Sequence, residues 1–390
     1  MNDFLTNDTK AIILLCGFFG KDHSPKQLTQ IEYTALVRWL INSKMRPGNL
    51  LQNDHLEEAS IGTGIDIQRL KYLLGRGVQL GFAVEEWQRN GIWIISRSDS
   101  DYPARYKKHL KEKAPPLLFG VGNRSLLGGG GLAIVGSRNV DKEGEDFARH
   151  IAELCALNKI PVISGGARGV DQFAMTSALE AGGITIGVLA ENLQKKSLER
   201  SVRYAISDGR LLLFSPFHPN ASFSVGTAMS RNKLIYAMAD YGLVVSAEYK
   251  KGGTWAGAEE ELKRDIPLPV FVRIGNNTPA GNRKLLDLGA ISWPELDIDS
   301  KTSLVQQLNG FAGKKPYDIQ IQEDLFSASI TGEEPSPKIK NAVCESNSTQ
   351  KQSIIKQSSE SIPNSIYEAV VPVILENLGN PITPDRHYKS

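Results

Sequence analysis

Four short segments of this chain place glycine and basic residues where an apolar run gives way to a predicted helix. They are Gly136-Ser137-Arg138-Asn139, Ser164-Gly165-Gly166-Ala167-Arg168-Gly169, Ser230-Arg231-Asn232-Lys233 and Lys250-Lys251-Gly252-Gly253-Thr254. The chemistry such segments support is anion binding. Glycine lets the backbone approach a ligand, and a helix N-terminus offers unpaired N–H groups with a partial positive charge. The expected donors are the backbone at Gly136, Ser137, Gly165 and Gly166 with Arg138, Arg168, Arg231, Asn232 and Lys233, while Lys250 and Lys251 close one wall. Arg231 and Lys233 read as the opening of a helix, where a cation opposes the dipole unless an anion compensates it. On that reading Arg231 carries little core burial, and its removal leaves the fold intact. Each turn alone is equally well explained by glycines that merely permit tight bends or by a solvated helix end. Four basic turns along one edge favour a groove.

Other chemistry has less support. The six histidines show no metal-ligand spacing, and the chain lacks H-E-x-x-H, a G-x-x-x-x-G-K-[ST] loop and a G-x-S-x-G elbow. Neither glycine turn is the G-x-G-x-x-G fingerprint of a dinucleotide site. No catalytic residue, metal or cofactor is therefore expected. The 45 basic and 43 acidic residues give a net charge of +2, which excludes a strongly basic nucleic-acid binder acting through a global field. Cys16, Cys155 and Cys344 stand far apart, as in a reduced, cytoplasmic protein. The apolar run Ala11–Phe19 is too short to span a membrane.

The elements that must hold these turns follow from periodicity. Short apolar runs at Leu132–Val135, Pro161–Ile163, Ile184–Leu189, Leu211–Phe214, Leu243–Ser246 and Val270–Arg273 read as strands. Helices fit between them at Lys142–Leu157, Val170–Ala181, Ser197–Ser207, Arg231–Ala239 and Ala256–Lys263. Apolar strands alternating with helices predict an α/β fold: a doubly wound, mostly parallel Rossmann-like sheet covered on both faces. Ligands of such sheets bind beyond the carboxyl ends of the strands, where the four turns lie. Residues 1–90 read as a small helical N-terminal module, with helices at Ile31–Ile41 and Asp66–Leu74, and residues 91–300 as the sheet domain. Residues 301–365 read as a linker, largely disordered, and 366–390 as a single helix that either docks on another surface or is the stub of a further domain.

Taken in order, these motifs resemble the DNA-processing protein A (DprA/Smf) family, over roughly Leu70 to Trp293. The resemblance rests on GIWIISRSDSDYPARYKKHLKEKAPPLLFGVGN (91–123), LAIVGSRNV (132–140), VISGGARGVD (162–171), MSRNKLI (229–235) and LVVSAEYKKGG (243–253). It implies a protein that binds single-stranded DNA without a chemical reaction. It further implies protection of incoming strands, help in loading a RecA-type recombinase during natural transformation, and action as a homodimer. The chain departs from the family pattern at Met175, Lys233, Pro216 and Ser246. Strand binding also needs planar groups for base stacking; Phe223, Trp255 and the arginine planes are the candidates. A different reading is a nucleotide-processing enzyme similar to the lysine decarboxylase-like phosphoribohydrolases, whose motif Gly252-Gly253-Thr254 with Glu259 and Glu260 echoes imperfectly.

Overall fold

The computed structural model describes residues 5–19, 25–297 and 302–313. The linker expected over 301–365 is described only to residue 313, and there it is not a linker: Leu304–Ala312 is a helix whose Leu304 and Leu308 are buried in the sheet core. The rest of it and the helix expected at 366–390 lie outside the described residues. Five helices come first: α1 (Asn7–Cys16), α2 (Gln30–Asn42), α3 (Leu56–Thr63), α4 (Ile67–Leu74) and α5 (Gly77–Arg89). Their starts are written in the sequence. Thr29 and Glu32 form a reciprocal capping box on α2, and the Asp66 carboxylate accepts the Arg69 N–H at the start of α4.

Nine strands follow among the described residues: β1 (Trp93–Ser96), β2 (Leu117–Gly122), β3 (Leu132–Gly136), β4 (Val162–Ser164), β5 (Thr185–Val188), β6 (Leu211–Ser215), β7 (Tyr241–Ser246), β8 (Val270–Val272) and β9 (Ile291–Ser292). They form one sheet in the order β1-β2-β6-β5-β4-β3-β7-β8-β9. From β6 to β9 every pairing is parallel; β1 and β2 add an antiparallel edge. The chain winds outward from β3 to β6, then crosses back to place β7 on the other side of β3. That reversal opens a crevice at the carboxyl ends of β3 and β7. The expected doubly wound α/β architecture is the one observed.

The connecting helices are α6 (Ala104–Leu110), α7 (Lys142–Leu157), α8 (Val170–Glu180), α9 (Leu193–Ser197), α10 (Arg200–Ser207), α11 (Val225–Met238), α12 (Gly252–Leu262), α13 (Ala280–Asp287) and α14 (Leu304–Ala312). Successive strand side chains point to opposite faces, so each strand feeds two cores. Ala133, Val135, Ile163, Ile186, Phe214 and Val244 pack under α6, α11 and α12. Leu132, Ile134, Val162, Leu243 and Val245 pack under α7, α8 and α14.

Three helix boundaries differ from those expected. The helix expected over Ser197–Ser207 begins three residues later, as α10, and is preceded by the short α9, which ends at Ser197. The helix expected from Arg231 begins at Val225, capped by the Ser224 hydroxyl, which accepts the Thr227 N–H. The helix expected from Ala256 begins at Gly252, so Gly252-Gly253-Thr254 is a first helical turn and not a flexible loop.

The N-terminal helices share a core with the sheet. Ile12, Ile13, Tyr33, Val37 and Trp87 cluster with Leu117, Phe119, Val121, Leu211 and Leu213. Trp87 meets the Phe119 ring edge-on at 5.0 Å. On the same side, Thr9 donates to Asp99 at 2.6 Å, tying α1 to the turn after β1. Trp87→Ala should therefore destabilise the whole folded unit by about 3–5 kcal/mol, the usual cost of emptying an aromatic core position. Urea denaturation followed by circular dichroism checks this. A loss under about 1 kcal/mol, a small fraction of that range, would mean that the helical layer is not coupled to the sheet.

Candidate anion-binding cavity at the strand switch point

Asp171 lies in the first turn of α8, two residues past the second glycine turn, and is buried. The backbone N–H groups of Ala167, Gly165 and Gly136 lie close enough to its carboxylate to favour the charged form, and it faces the Arg231 guanidinium. Burial pushes the Asp171 carboxyl above its ordinary range, against the pull of Arg231 and the three N–H groups. Burial likewise pushes Arg231 down, against the pull of Asp171. For both partners desolvation outweighs mutual attraction, as expected when two charges meet away from water. Their closest approach, Arg231 Nη1 to Asp171 Oδ2, is 3.9 Å, beyond hydrogen-bonding range.

Gly165 is small because Arg231 lies against it: a methyl group there would sit 1.3 Å from Nη1. Gly169 has φ +89°, and a side chain there would meet the carbonyl oxygens of Ser137 and Arg138. The two glycine turns thus pack against each other with Asp171 between them. Thr254 Oγ1 donates to the Gly136 carbonyl at 3.0 Å and joins the first turn of α12 to them.

Around this junction lies a cavity of about 690 Å³. Of the eleven anticipated site residues, Gly136, Ser137, Arg138, Arg231, Asn232 and Lys251 line it. The other five stand elsewhere. Gly165 backs the Arg231 guanidinium, Gly166 supplies a turn at φ +65°, Lys233 is half-buried off the cavity wall, and Arg168 and Lys250 are exposed outside the lining.

Four further expectations need correction. Arg231 is the seventh residue of α11, not a helix start, and is only 5% exposed, so helix-dipole repulsion does not describe it. The Gly136 and Gly165 N–H groups, expected as ligand donors, lie close enough to Asp171 to favour its carboxylate, so a ligand does not have them to itself. Asn232 is committed through Nδ2, which donates to the Gly253 carbonyl at 2.8 Å. Trp255 is buried against Tyr249, ring centroids 5.0 Å apart, with Nε1 donating to Glu259, and offers no face for a base. Phe223 does keep its place: it lines the cavity, half-exposed, with the Arg138 guanidinium 4.8 Å over its ring.

Sequence reasoning missed Asp171, Thr254 and Tyr236. An acidic residue in a first helical turn is ordinary dipole chemistry, so Asp171 carried no special signal. Tyr236 lines the cavity, and its hydroxyl, with Arg231 Nε and Nη1, has no hydrogen-bond partner among the described residues. Each such buried donor costs about 1–3 kcal/mol unless something accepts from it. A second hollow of about 250 Å³ is lined by Asp8, Arg46, Asp101 and Arg124, but these acids and arginines bridge one another. Glu259 and Glu260, which the enzyme reading would use, lie off the cavity wall, and Glu259 is bonded to Trp255 and Lys263. Among the described residues no group of histidines, cysteines and acids is placed to hold a metal, and no helix is long and apolar enough to cross a membrane.

Residues 93–302 match the family described as DNA recombination-mediator protein A. A Mycobacterium tuberculosis protein named as a DNA processing protein DprA is 29% identical over 255 residues, which is 60% of this chain and 62% of that relative. Protein Smf of Escherichia coli is 32% identical over 181 residues, 45% of this chain and 48% of the relative. The chain thus matches less than two thirds of the length of these relatives. Among solved structures, DNA processing protein A (DprA) from Streptococcus pneumoniae superposes with a TM-score of 0.58 at 22% identity, covering 73% of this chain and 94% of that one. That likeness is one of fold.

Arg231→Ala should cost about 3–5 kcal/mol at neutral pH, because it leaves the Asp171 charge buried without its counter-ion. The cost should depend on pH. Asp171 titrates above its ordinary value of 3.8 in the fold. Its contribution is therefore fully present below the unfolded value and is lost as pH rises through the raised native one. Removing Arg231 raises that native value further. The variant's penalty should accordingly be smaller at about pH 4.5 than at about pH 8. Paired urea titrations of wild type and variant at both pH values measure the difference; equal penalties would disconnect Asp171 from Arg231.

Proposed function

The chain belongs to the DNA recombination-mediator protein A family, the DprA/Smf proteins, and from that premise we propose that it binds single-stranded DNA through the cavity at the β3–β7 switch point. The observation that supports this most directly is Arg231, a buried cation whose side chain lines the cavity and whose Nε and Nη1 have no hydrogen-bond partner among the described residues. Arginine donates to phosphate through a planar fork and is the residue type best suited to such a site. Arg138 and Lys251 line the same cavity, and Phe223 offers a ring at its mouth. A single strand bends and splays its bases, so it can follow a narrow opening that a stiff duplex cannot enter.

The protein protects incoming single strands and helps load a RecA-type recombinase during natural transformation, working as a homodimer in the cytoplasm without chemical catalysis. The family's mediator role and the donor set of the cavity support this reading. Contacts would fall mainly on phosphates, so sequence preference is weak.

Gel shift with single-stranded and duplex oligonucleotides at ~150 mM salt, the physiological screening regime, tests the reading. Single strands should bind tighter than duplex of the same sequence, and equal affinity for both would refute it. Arg138→Ala should weaken strand binding and flatten the log–log salt dependence by about 0.7, one phosphate contact. Arg168→Ala, at an exposed position off the cavity wall, should change both quantities less.

A further inference from the structure

The cavity contains more unmet hydrogen-bonding capacity than a strand passing over its mouth would use. Arg231 Nε, Arg231 Nη1 and the Tyr236 hydroxyl are buried, belong to two residues that both line the cavity, and have no partner among the described residues. Arg231 is 5% exposed and Tyr236 1%. A group that reaches either must leave bulk water and enter the cavity. The mouth has the opposite character: Phe223, Val225 and Met229 line it and are 42%, 67% and 44% exposed. A polar interior under an apolar rim suits a ligand with a charged end and a flat, weakly polar body.

We propose that the cavity takes one whole nucleotide carrying a phosphate monoester, with the phosphate at Arg231 and the base against the Phe223–Arg138 pair. This rests on the single-strand reading above and narrows what the same cavity accepts. The volume of about 690 Å³ holds such a group and lies within the range of small-ligand sites, ~300–1,000 Å³. An internal phosphodiester carries a sugar on each of two ester oxygens, and both must follow it inward. A monoester carries one, keeps three oxygens for donors, and brings a second negative charge. The lining charges favour it: Arg138, Arg231 and Lys251 stand against Asp171 and Glu248. Two sources supply this chemistry, the 5′-phosphorylated end of a strand and a free nucleoside monophosphate.

Fluorescence anisotropy of the full chain distinguishes them. Two 3′-labelled oligothymidylates are compared, one with a 5′-phosphate and one with a 5′-hydroxyl, and dTMP or thymidine is added as competitor. The phosphorylated strand should bind about tenfold tighter, the worth of one charge-assisted hydrogen bond. Arg231→Lys and Tyr236→Phe, the second of which keeps the buried ring and removes only the unpaired hydroxyl, should each reduce that ratio; Tyr236→Phe carries the test if Arg231→Lys fails to fold. Competition by dTMP but not thymidine identifies the free nucleotide as a source, and a strand-end preference without dTMP competition identifies the strand end. Equal affinity of both strands with no competition by dTMP overturns the proposal while leaving single-strand binding intact. Failure of both strands to bind removes the single-strand reading, and dTMP binding measured directly by calorimetry then keeps the nucleotide site.

Discussion

One buried carboxylate sets the geometry on which the rest of the site depends. Asp171 stands between the two glycine turns, one after β3 and one after β4, nearly thirty residues apart in sequence, and backbone N–H groups of both turns act on its carboxylate. Those N–H groups are thus oriented toward a group of the protein itself. The positive potential of the cavity must then come from side chains, above all Arg231. Arg231 approaches Asp171 to 3.9 Å without closing a hydrogen bond. A buried pair in this state is held less by its own attraction than by the packing around it. The tight seat of the guanidinium on Gly165 is that packing.

The strand order explains how residues from five chain segments reach one cavity. β3 and β7 are neighbours only because the chain crosses over the sheet after β6, and α11 is part of that crossing. The crossing helix carries Arg231, Asn232 and Tyr236 to the carboxyl ends of the strands. The pairing of β3 with β7 shifts register between Val135 and Gly136, where β7 has one extra residue before Gly136 meets Ser246, so the ladder is irregular where the cavity begins. Close approach of α12 to α11 requires Gly253 and Gly257. A methyl at either would lie 2.7 Å or 3.0 Å from Asn232. The glycines of the KKGGT segment thus serve helix packing more than loop freedom.

What the sequence shows plainly here is whatever periodicity encodes. Continuous apolar runs marked β3 through β8, and Lys142–Leu157 was readable to the residue because Asp141 caps an amphipathic stretch. The start of α11 was not readable. Its cap is Ser224 with Thr227 in place of the usual acid or amide, Gly226 is a poor helix former, and Val225 and Met229 face solvent. Placing that start six residues late turned Arg231 from a buried mid-helix residue into an apparent helix-end cation. The same error of register hid Tyr236, which reads as ordinary core until its hydroxyl is found without a partner. Trp255 failed differently: composition marks it as a stacking ring, and only packing shows that both faces are spent on the core and Tyr249.

The unmet donors bear on stability as well as binding. Three buried groups at about 1–3 kcal/mol each are a large part of the ~5–15 kcal/mol by which a domain is usually stable. They persist because removing them locally is no easier. Arg231 cannot swing outward without abandoning Asp171, and the Tyr236 ring is held between Gly242 and Gly257. On the proposed reading, the packing around the cavity already meets part of the cost of ordering these donors for a phosphate-bearing ligand. A ligand that supplies acceptors gains that difference on binding, and by linkage stabilises the fold as its concentration rises above its dissociation constant. Affinity and stability at this site are then two readings of the same set of unsatisfied donors.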